Sequence, residues 1–209
     1  MNQQELHESA ICRFIRGVPT ALYDIGVGTK TEWRTLARKY PAMQVFGCEP
    51  HPAQYDKLLK DKFLGPLAKV AIGENEGMAT LHVPTHDLKC CSLLPVPYAN
   101  ATEQVKVWTL DRFDLNMGQP DRILLWIDIE GSELSALRSG RRLLASGRVR
   151  WINLEERRNG HQPAEGWCDP KELHAYLTES GFVRVADYNR HPTHQDAIYV
   201  HKDEKPCSA

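Results

Sequence analysis

The 209-residue sequence predicts an α/β fold: a mostly parallel sheet with helices on both faces and an antiparallel last strand. Three observations predict it. Residues 20–50 read as strand, glycine turn, helix and strand, closed by Glu49-Pro50. Between Arg122 and Gly131 an unbroken apolar run, Ile123 to Ile127, suits a strand buried on both faces and ends in Asp128, Glu130 and Gly131. The other segments alternate strand and helix until the last two apolar runs, which have no helix between them.

In chain order, residues 2–16 form an amphipathic pattern with Leu6, Ala10 and Phe14 on one face and Gly17 as terminator, so 1–19 is expected to be an N-terminal helical segment. The core is expected over 20–202. Ala21, Leu22 and Tyr23 lead into Asp24-Ile25-Gly26-Val27-Gly28. Trp33, Leu36, Ala37 and Tyr40 then recur at helical spacing until Tyr40-Pro41. After the strand of Val45 and Phe46, a second helix carries Tyr55, Leu58, Leu59 and Phe63 and ends at Gly65-Pro66. Leu67 to Gly73 reads as the third strand. Residues 74–104 are expected to be an irregular insertion holding one short strand, Met78 to Pro84. Val105 to Leu110 alternates as an exposed-edge strand does.

Beyond the apolar run, a helix from Ser132 turns Leu134 and Leu137 inward and stops at Gly140; a short helical piece covers Leu143 and Leu144. Val149 to Leu154 is the fifth strand, ending in Glu155-Glu156, and Asn159-Gly160 is a turn. Asp169-Pro170 opens another helix with an N-cap and a proline at the first helical position. Phe182 to Val185 and Ala197 to Val200 form the closing pair, and 203–209 is expected to fray. No repeat or linker interrupts the chain, so one domain over 1–209 is expected.

The chemistry of the first unit follows from its residue types. Gly26 and Gly28 lack the Cβ atoms that would keep a ligand off the backbone. The helix opening near Thr29 to Thr31 offers free N–H groups over the turn. Glu49, at the end of the next strand, suits both hydroxyls of a ribose. Thr31 stands where a dinucleotide fingerprint wants its third glycine, and Asp24 suits an ammonium better than a phosphate. A nucleoside with an amino group and no phosphate, S-adenosylmethionine (SAM), fits that set. The end of the third strand, Ala71 and Ile72, should lie over the adenine.

Composition narrows the classes. The net charge of −1 gives no basic footprint, so neither nucleic acid nor an anionic membrane surface is an expected partner. Six cysteines lack metal-ligand spacing, and Cys90-Cys91 is poor disulfide geometry, so reduced thiols and a cytoplasmic location are expected. No apolar run reaches the length of a membrane span. His191 and His194 read as loop histidines.

Three segments resemble the FkbM-type SAM-dependent methyltransferases: Leu22 to Gly28 with Glu49-Pro50, Trp108 to Phe113, and Ile127 to Leu134. The likeness runs over roughly residues 20–200, with Trp126 standing where the family usually has lysine. The resemblance implies a Rossmann-like class I methyltransferase fold, seven strands with the last antiparallel, and SAM as cofactor. It also implies methyl transfer to a hydroxyl of a sugar, glycan or secondary metabolite.

Such a transfer needs alignment and a proton acceptor. Asp128 is the first candidate, as base, as partner of the SAM amino group, or as a ligand; capping the next helix with Glu130 and Glu133 is its alternative role. Glu155 is the second, against an ion pair with Arg157 or Arg158, and His51 and His86 are further candidates. Asp128, Glu130 and Glu155 also form a hard-oxygen set for Mg²⁺. Helix-cap or surface roles explain two of those acids, and no metal is assigned. Trp33, Trp108, Trp126 and Trp151 are expected in the core, whereas Trp167, in a polar loop, is a candidate wall of the acceptor pocket. Two other readings stay open. One is an NAD(P)-dependent oxidoreductase, against which stand Thr31 and the absence of a Tyr-x-x-x-Lys pattern. The other is a non-catalytic nucleoside-binding module.

Overall fold

The structure, a computed structural model, describes residues 11–15, 17–28, 32–158, 166–188 and 191–204. A seven-stranded sheet forms its centre. Strands β1 (Ala21–Ile25), β2 (Gln44–Cys48), β3 (Leu67–Ala68), β7 (Ile123–Ile127), β8 (Val149–Arg157), β9 (Phe182–Tyr188) and β10 (His194–His201) lie in the order β3-β2-β1-β7-β8-β10-β9. All pairings from β3 to β8 are parallel, and β10 runs antiparallel to both β8 and β9. The closing pair therefore does not simply extend the edge: β10 inserts between β8 and β9.

Strand order reverses at β1. The chain runs outward through β2 and β3, then returns to β7 on the other side of β1, with Ile25 opposite Ile127. That reversal leaves a crevice beyond the carboxyl ends of β1 and β7, where open α/β sheets bind ligands. Helices α1 (Glu32–Lys39) and α2 (Pro52–Lys60) form the crossovers on one face. On the other lie α3 (Leu110–Asn116), α4 (Glu133–Arg138), α5 (Arg141–Ala145) and α6 (Pro170–Glu179). Alternation along the buried strands supplies both cores. Tyr23, Ile25, Leu125 and Leu137 meet on the α4 face, whereas Leu22, Leu36, Leu124 and Trp151 meet on the α1 face. Trp126 and Trp151 are buried as expected, Trp108 is half-buried, and the Trp33 side chain lies outside the described residues.

Several elements differ from the sequence reading. Leu67 to Gly73 is not one strand. It breaks after Ala68, and β4 (Ala71–Ile72) joins a second, three-stranded sheet with β5 (Gly77–Val83) and β6 (Ala101–Trp108) in the order β4-β6-β5. Within 74–104, residues 77–83 and 101–104 are therefore paired strand with an irregular connection between them, and β6 is the centre of that sheet rather than an edge. The span from Leu110 is helix, because the Arg112 N–H donates to Thr109 Oγ1 (3.1 Å) and so caps α3. Glu204 is not frayed. Its carboxylate accepts from Arg122 (2.7 Å) and Arg150 (2.8 Å) and is nearly buried. Of the expected 2–16 helix, residues 11–14 are helical, with Ile11 and Ile15 buried. The rest of that helix, the opening at Thr29 to Thr31, the Asn159-Gly160 turn and residues 205–209 lie outside the described residues. Among the described residues, no helix is long and apolar enough to cross a membrane.

Candidate active site

Beyond the strand ends lies a cleft of about 490 Å³, measured with the solvent at its mouth. Its lining includes the apolar Val70, Ala71, Ile72, Leu88 and Leu93 and the more polar Gly28, Glu49, Asp128 and Ser132. An aromatic base suits the apolar lining, a ribose and a charged amino acid the polar groups.

Glu49 follows β2 and is 3 % exposed. Its Oε2 accepts from the Gly28 N–H (2.8 Å) and its Oε1 from the His51 N–H (2.8 Å), so one carboxylate ties the turn after β1 to the entry of α2. Each oxygen keeps a further lone pair for a ligand hydroxyl. Burial raises the carboxyl from 4.5 to about 7, with the two amides pulling it down.

The two glycines of the turn serve different ends. Gly26 has φ +83°, and a Cβ there would stand 2.2 Å from the Asp128 carbonyl oxygen and 2.8 Å from Ile129. Close packing of β1 against the exit of β7 requires it, and Gly26 also lines the cleft. At Gly28 (φ +56°) a Cβ would meet nothing within 4 Å. That open space leaves the Gly28 backbone bare on the wall of the cleft.

Asp24 is not among the cleft residues. Alternation along β1 puts its side chain on the face of Leu22, opposite Tyr23 and Ile25, where it is 6 % exposed. Asp128, whose N–H donates to the Ile25 carbonyl (3.0 Å), lines the cleft together with Glu49. The turn beyond it is built by Glu133. Glu133 is 3 % exposed, and its Oε1 accepts from Ile129 N–H (3.2 Å) and Gly131 N–H (3.1 Å). These two bonds of Glu133 brace that turn. Burial raises the Glu133 carboxyl to about 7.

Asp128, Glu130 and Glu155 offer carboxylate oxygens that lie within 4.8 Å of one another, so the structure brings together the three acids singled out in the sequence. Their neighbour Glu156 is the one that pairs with Arg184. Arg157 instead lays its guanidinium over the Trp167 ring, 3.7 Å from the centroid.

His51 stands outside the cleft lining. It precedes α2, is 8 % exposed, finds no hydrogen-bond partner for Nδ1 among the described residues, and burial lowers its pKa. His86 lies exposed in a turn. Pro50 lines the cleft beside Glu49.

The long segment between β5 and β6 proves to be a wall. Ser92 Oγ donates to the Glu130 carbonyl (2.7 Å), and its backbone pairs with His82. Gln54 of α2 donates to the Leu88 carbonyl. These bonds hold Leu88, Cys91 and Leu93 against the cleft. Loop length was the only sequence signal for this role; the individual residues carried none.

A family model for the methyltransferase FkbM domain matches residues 24–184. A solved methyltransferase FkbM from Methylobacillus flagellatus KT superposes with a TM-score of 0.62 at 16 % identity over 90 % of this chain, but the match covers only 45 % of that chain, less than half its length. The magnesium protoporphyrin IX methyltransferase of Synechocystis PCC 6803, solved with bound SAM, gives a TM-score of 0.54 at 9 % identity, covering 95 % of this chain and 77 % of that one. A human methyltransferase 10 domain containing protein gives 0.54 at 12 % identity, covering 96 % and 81 %. No curated protein matches the chain.

A reversed parallel sheet with its cleft at the switch point is thus the fold of the class I methyltransferases. The chain belongs to the FkbM methyltransferase family, and SAM is its cofactor. The cleft suits that molecule: an apolar lining for a base, a buried carboxylate for a diol, and open backbone at Gly28.

Proposed function

We propose that the protein transfers the SAM methyl group to a hydroxyl oxygen of a sugar, glycan or secondary metabolite. One observation carries the reading. Two carboxylates from neighbouring strand exits, Asp128 and Glu155, come within 4.8 Å of one another, and the first lines the cofactor cleft. An alcohol is a weak nucleophile and needs a proton acceptor as it attacks.

In this reading Glu49 accepts from the ribose hydroxyls. Pro50, Ala71 and Ile72 border the adenine. Gly26 and Gly28 shape the turn below the amino-acid part, with the acid Asp24 buried behind it. SAM supplies an electrophilic methyl group on a sulfonium. The chain holds donor and acceptor in line and takes a proton. Asp128 meets the amino group or the acceptor hydroxyl, and Glu155 stands next as proton acceptor. His51, outside the cleft, ranks behind both. The net charge of −1 favours a small-molecule or glycan acceptor over nucleic acid. Five described cysteines are free thiols, which supports a reducing, cytoplasmic setting.

The test is methyl transfer from labelled SAM to a panel of hydroxylated glycans and metabolites, with the product's methylated atom read by mass spectrometry. An O-methyl product is expected. Transfer to nitrogen or carbon acceptors alone would replace the reading, as would NAD binding with no response to SAM.

A further inference from the structure

A second groove, about 1300 Å³ with the solvent at its mouth, opens beside the cofactor cleft and shares Leu93 and Ser132 with it. Ser132 is 4 % exposed, and its Oγ has no hydrogen-bond partner. Trp167, also in the groove wall, is 9 % exposed, and its Nε1 likewise has no partner. Buried polar atoms without partners are uncommon and costly, and two of them stand in the wall of this groove. The Trp167 ring is pinned. Arg157 lies over it, and a Cβ on Gly131 would stand 2.4 Å from the ring. Its N–H therefore holds a fixed direction.

The charge of the groove is one-sided. Among the described residues, Glu74, Glu76, Asp169 and Glu172 line it against Arg138. Arg138 pairs with Glu172 (2.6 Å), and Arg112 pairs with Glu76. Glu74 and Asp169 leave the lining net negative. Like charges repel a ligand carboxylate or phosphate, whereas hydroxyl and ammonium groups donate to carboxylates.

We propose that this groove is the acceptor site, and that it takes uncharged or amine-bearing polyols and rejects carboxylated or phosphorylated ones. Ser132 Oγ and the Trp167 N–H orient the acceptor where groove and cofactor cleft meet. The proposal rests on the reading of the protein as a hydroxyl methyltransferase and adds its substrate class.

The test uses the full chain saturated with S-adenosylhomocysteine and labelled at tryptophan with ¹⁵N. Glucosamine, glucose and glucuronate serve as probes at matched concentrations. The Trp167 indole N–H resonance is expected to shift with the first two and not with glucuronate. In a Glu74→Lys, Asp169→Asn variant, in which asparagine still caps α6, the discrimination against glucuronate is expected to fall about tenfold or more. Ser132→Ala is expected to weaken the glucose response about tenfold, as for one lost hydrogen bond. A resonance that no probe moves, or that glucuronate moves as readily as glucosamine, overturns the proposal. So does a charge order unchanged in the double variant. Failure of the hydroxyl-transfer reading looks different: the resonance responds, yet labelled methyl never reaches oxygen.

Discussion

Glu49 gives the sharpest prediction. Its two oxygens each accept from a backbone N–H, at Gly28 and His51, and burial holds its carboxyl at about 7. The sign follows from that shift. A carboxyl raised above its ordinary 4.5 favours the protonated folded state, so its contribution to apo-protein stability is full below about 4.5 and is lost as pH rises through about 7. Cofactor binding runs the other way. The ionised carboxylate is the form that accepts from the ribose, so SAM affinity should fall as pH drops below about 7. At about pH 6 most of the free protein carries the proton, and affinity should be about tenfold weaker, about 1.4 kcal/mol. Glu49→Gln sets an NH₂ group against one of the two amide donors and removes the charge. Its affinity at high pH should fall by about 1–3 kcal/mol, and the pH step should vanish. Calorimetric titration with S-adenosylhomocysteine across pH reads both effects. Equal affinity on either side of neutrality in the unmodified protein, or a step that persists in Glu49→Gln, would refute the reasoning.

Other outcomes follow from neighbouring residues. Asp128→Asn or Glu155→Gln should lower turnover by about 10²–10⁴-fold with the melting temperature nearly unchanged, as for a lost general base; full turnover in both removes them from proton transfer. Gly28→Ala should leave the fold close to intact and cut SAM affinity. Gly26→Ala should destabilise the protein outright, by more than the 1–3 kcal/mol of backbone strain alone, because its Cβ would meet the Asp128 carbonyl. Thermal melts with a SAM titration separate the two glycines. Asp114→Ala should cost about 3–5 kcal/mol in denaturant unfolding. The substitution strands Arg148, which donates to Asp114 at 2.5 and 3.0 Å, and removes the acceptor of the buried Tyr23 hydroxyl. Chelation with EDTA should leave turnover unchanged, since Asp128 and Glu155 are read as proton acceptors. A loss that Mg²⁺ restores would recast Asp128, Glu130 and Glu155 as a cation site.

Local chemistry was legible in the sequence, and long-range packing was not. The first βαβ unit and its closing Glu49 could be read because turn glycines, apolar spacing and a strand-end acid lie within one short stretch. The buried β7 announced itself by its unbroken apolar run. The reason for Gly26 was hidden, since the atom that forbids a Cβ, the Asp128 carbonyl, arrives from a strand far along the chain. Asp24 and Asp128 look alike as strand-end acids. The pleat puts the Asp24 side chain on the Leu22 face, while Asp128, past the end of β7, lines the cleft. The break at Lys69-Val70 was equally invisible, because Leu67 to Gly73 satisfies one strand pattern while tertiary pairing splits it between two sheets. Helix α3 is too short for periodicity to show, and its Thr109 cap was the signal that had been available. Glu133 read as one capping acid among three, and only the geometry singles it out.

A crystal structure with S-adenosylhomocysteine tests the central claim most directly. The ribose diol should lie on Glu49, the adenine between Pro50 and the Ala71-Ile72 strand end, and the sulfur nearest Asp128 with its open side toward Ser132. A ligand seated with its sulfur away from Asp128, or a cleft closed by its own side chains, would contradict the account.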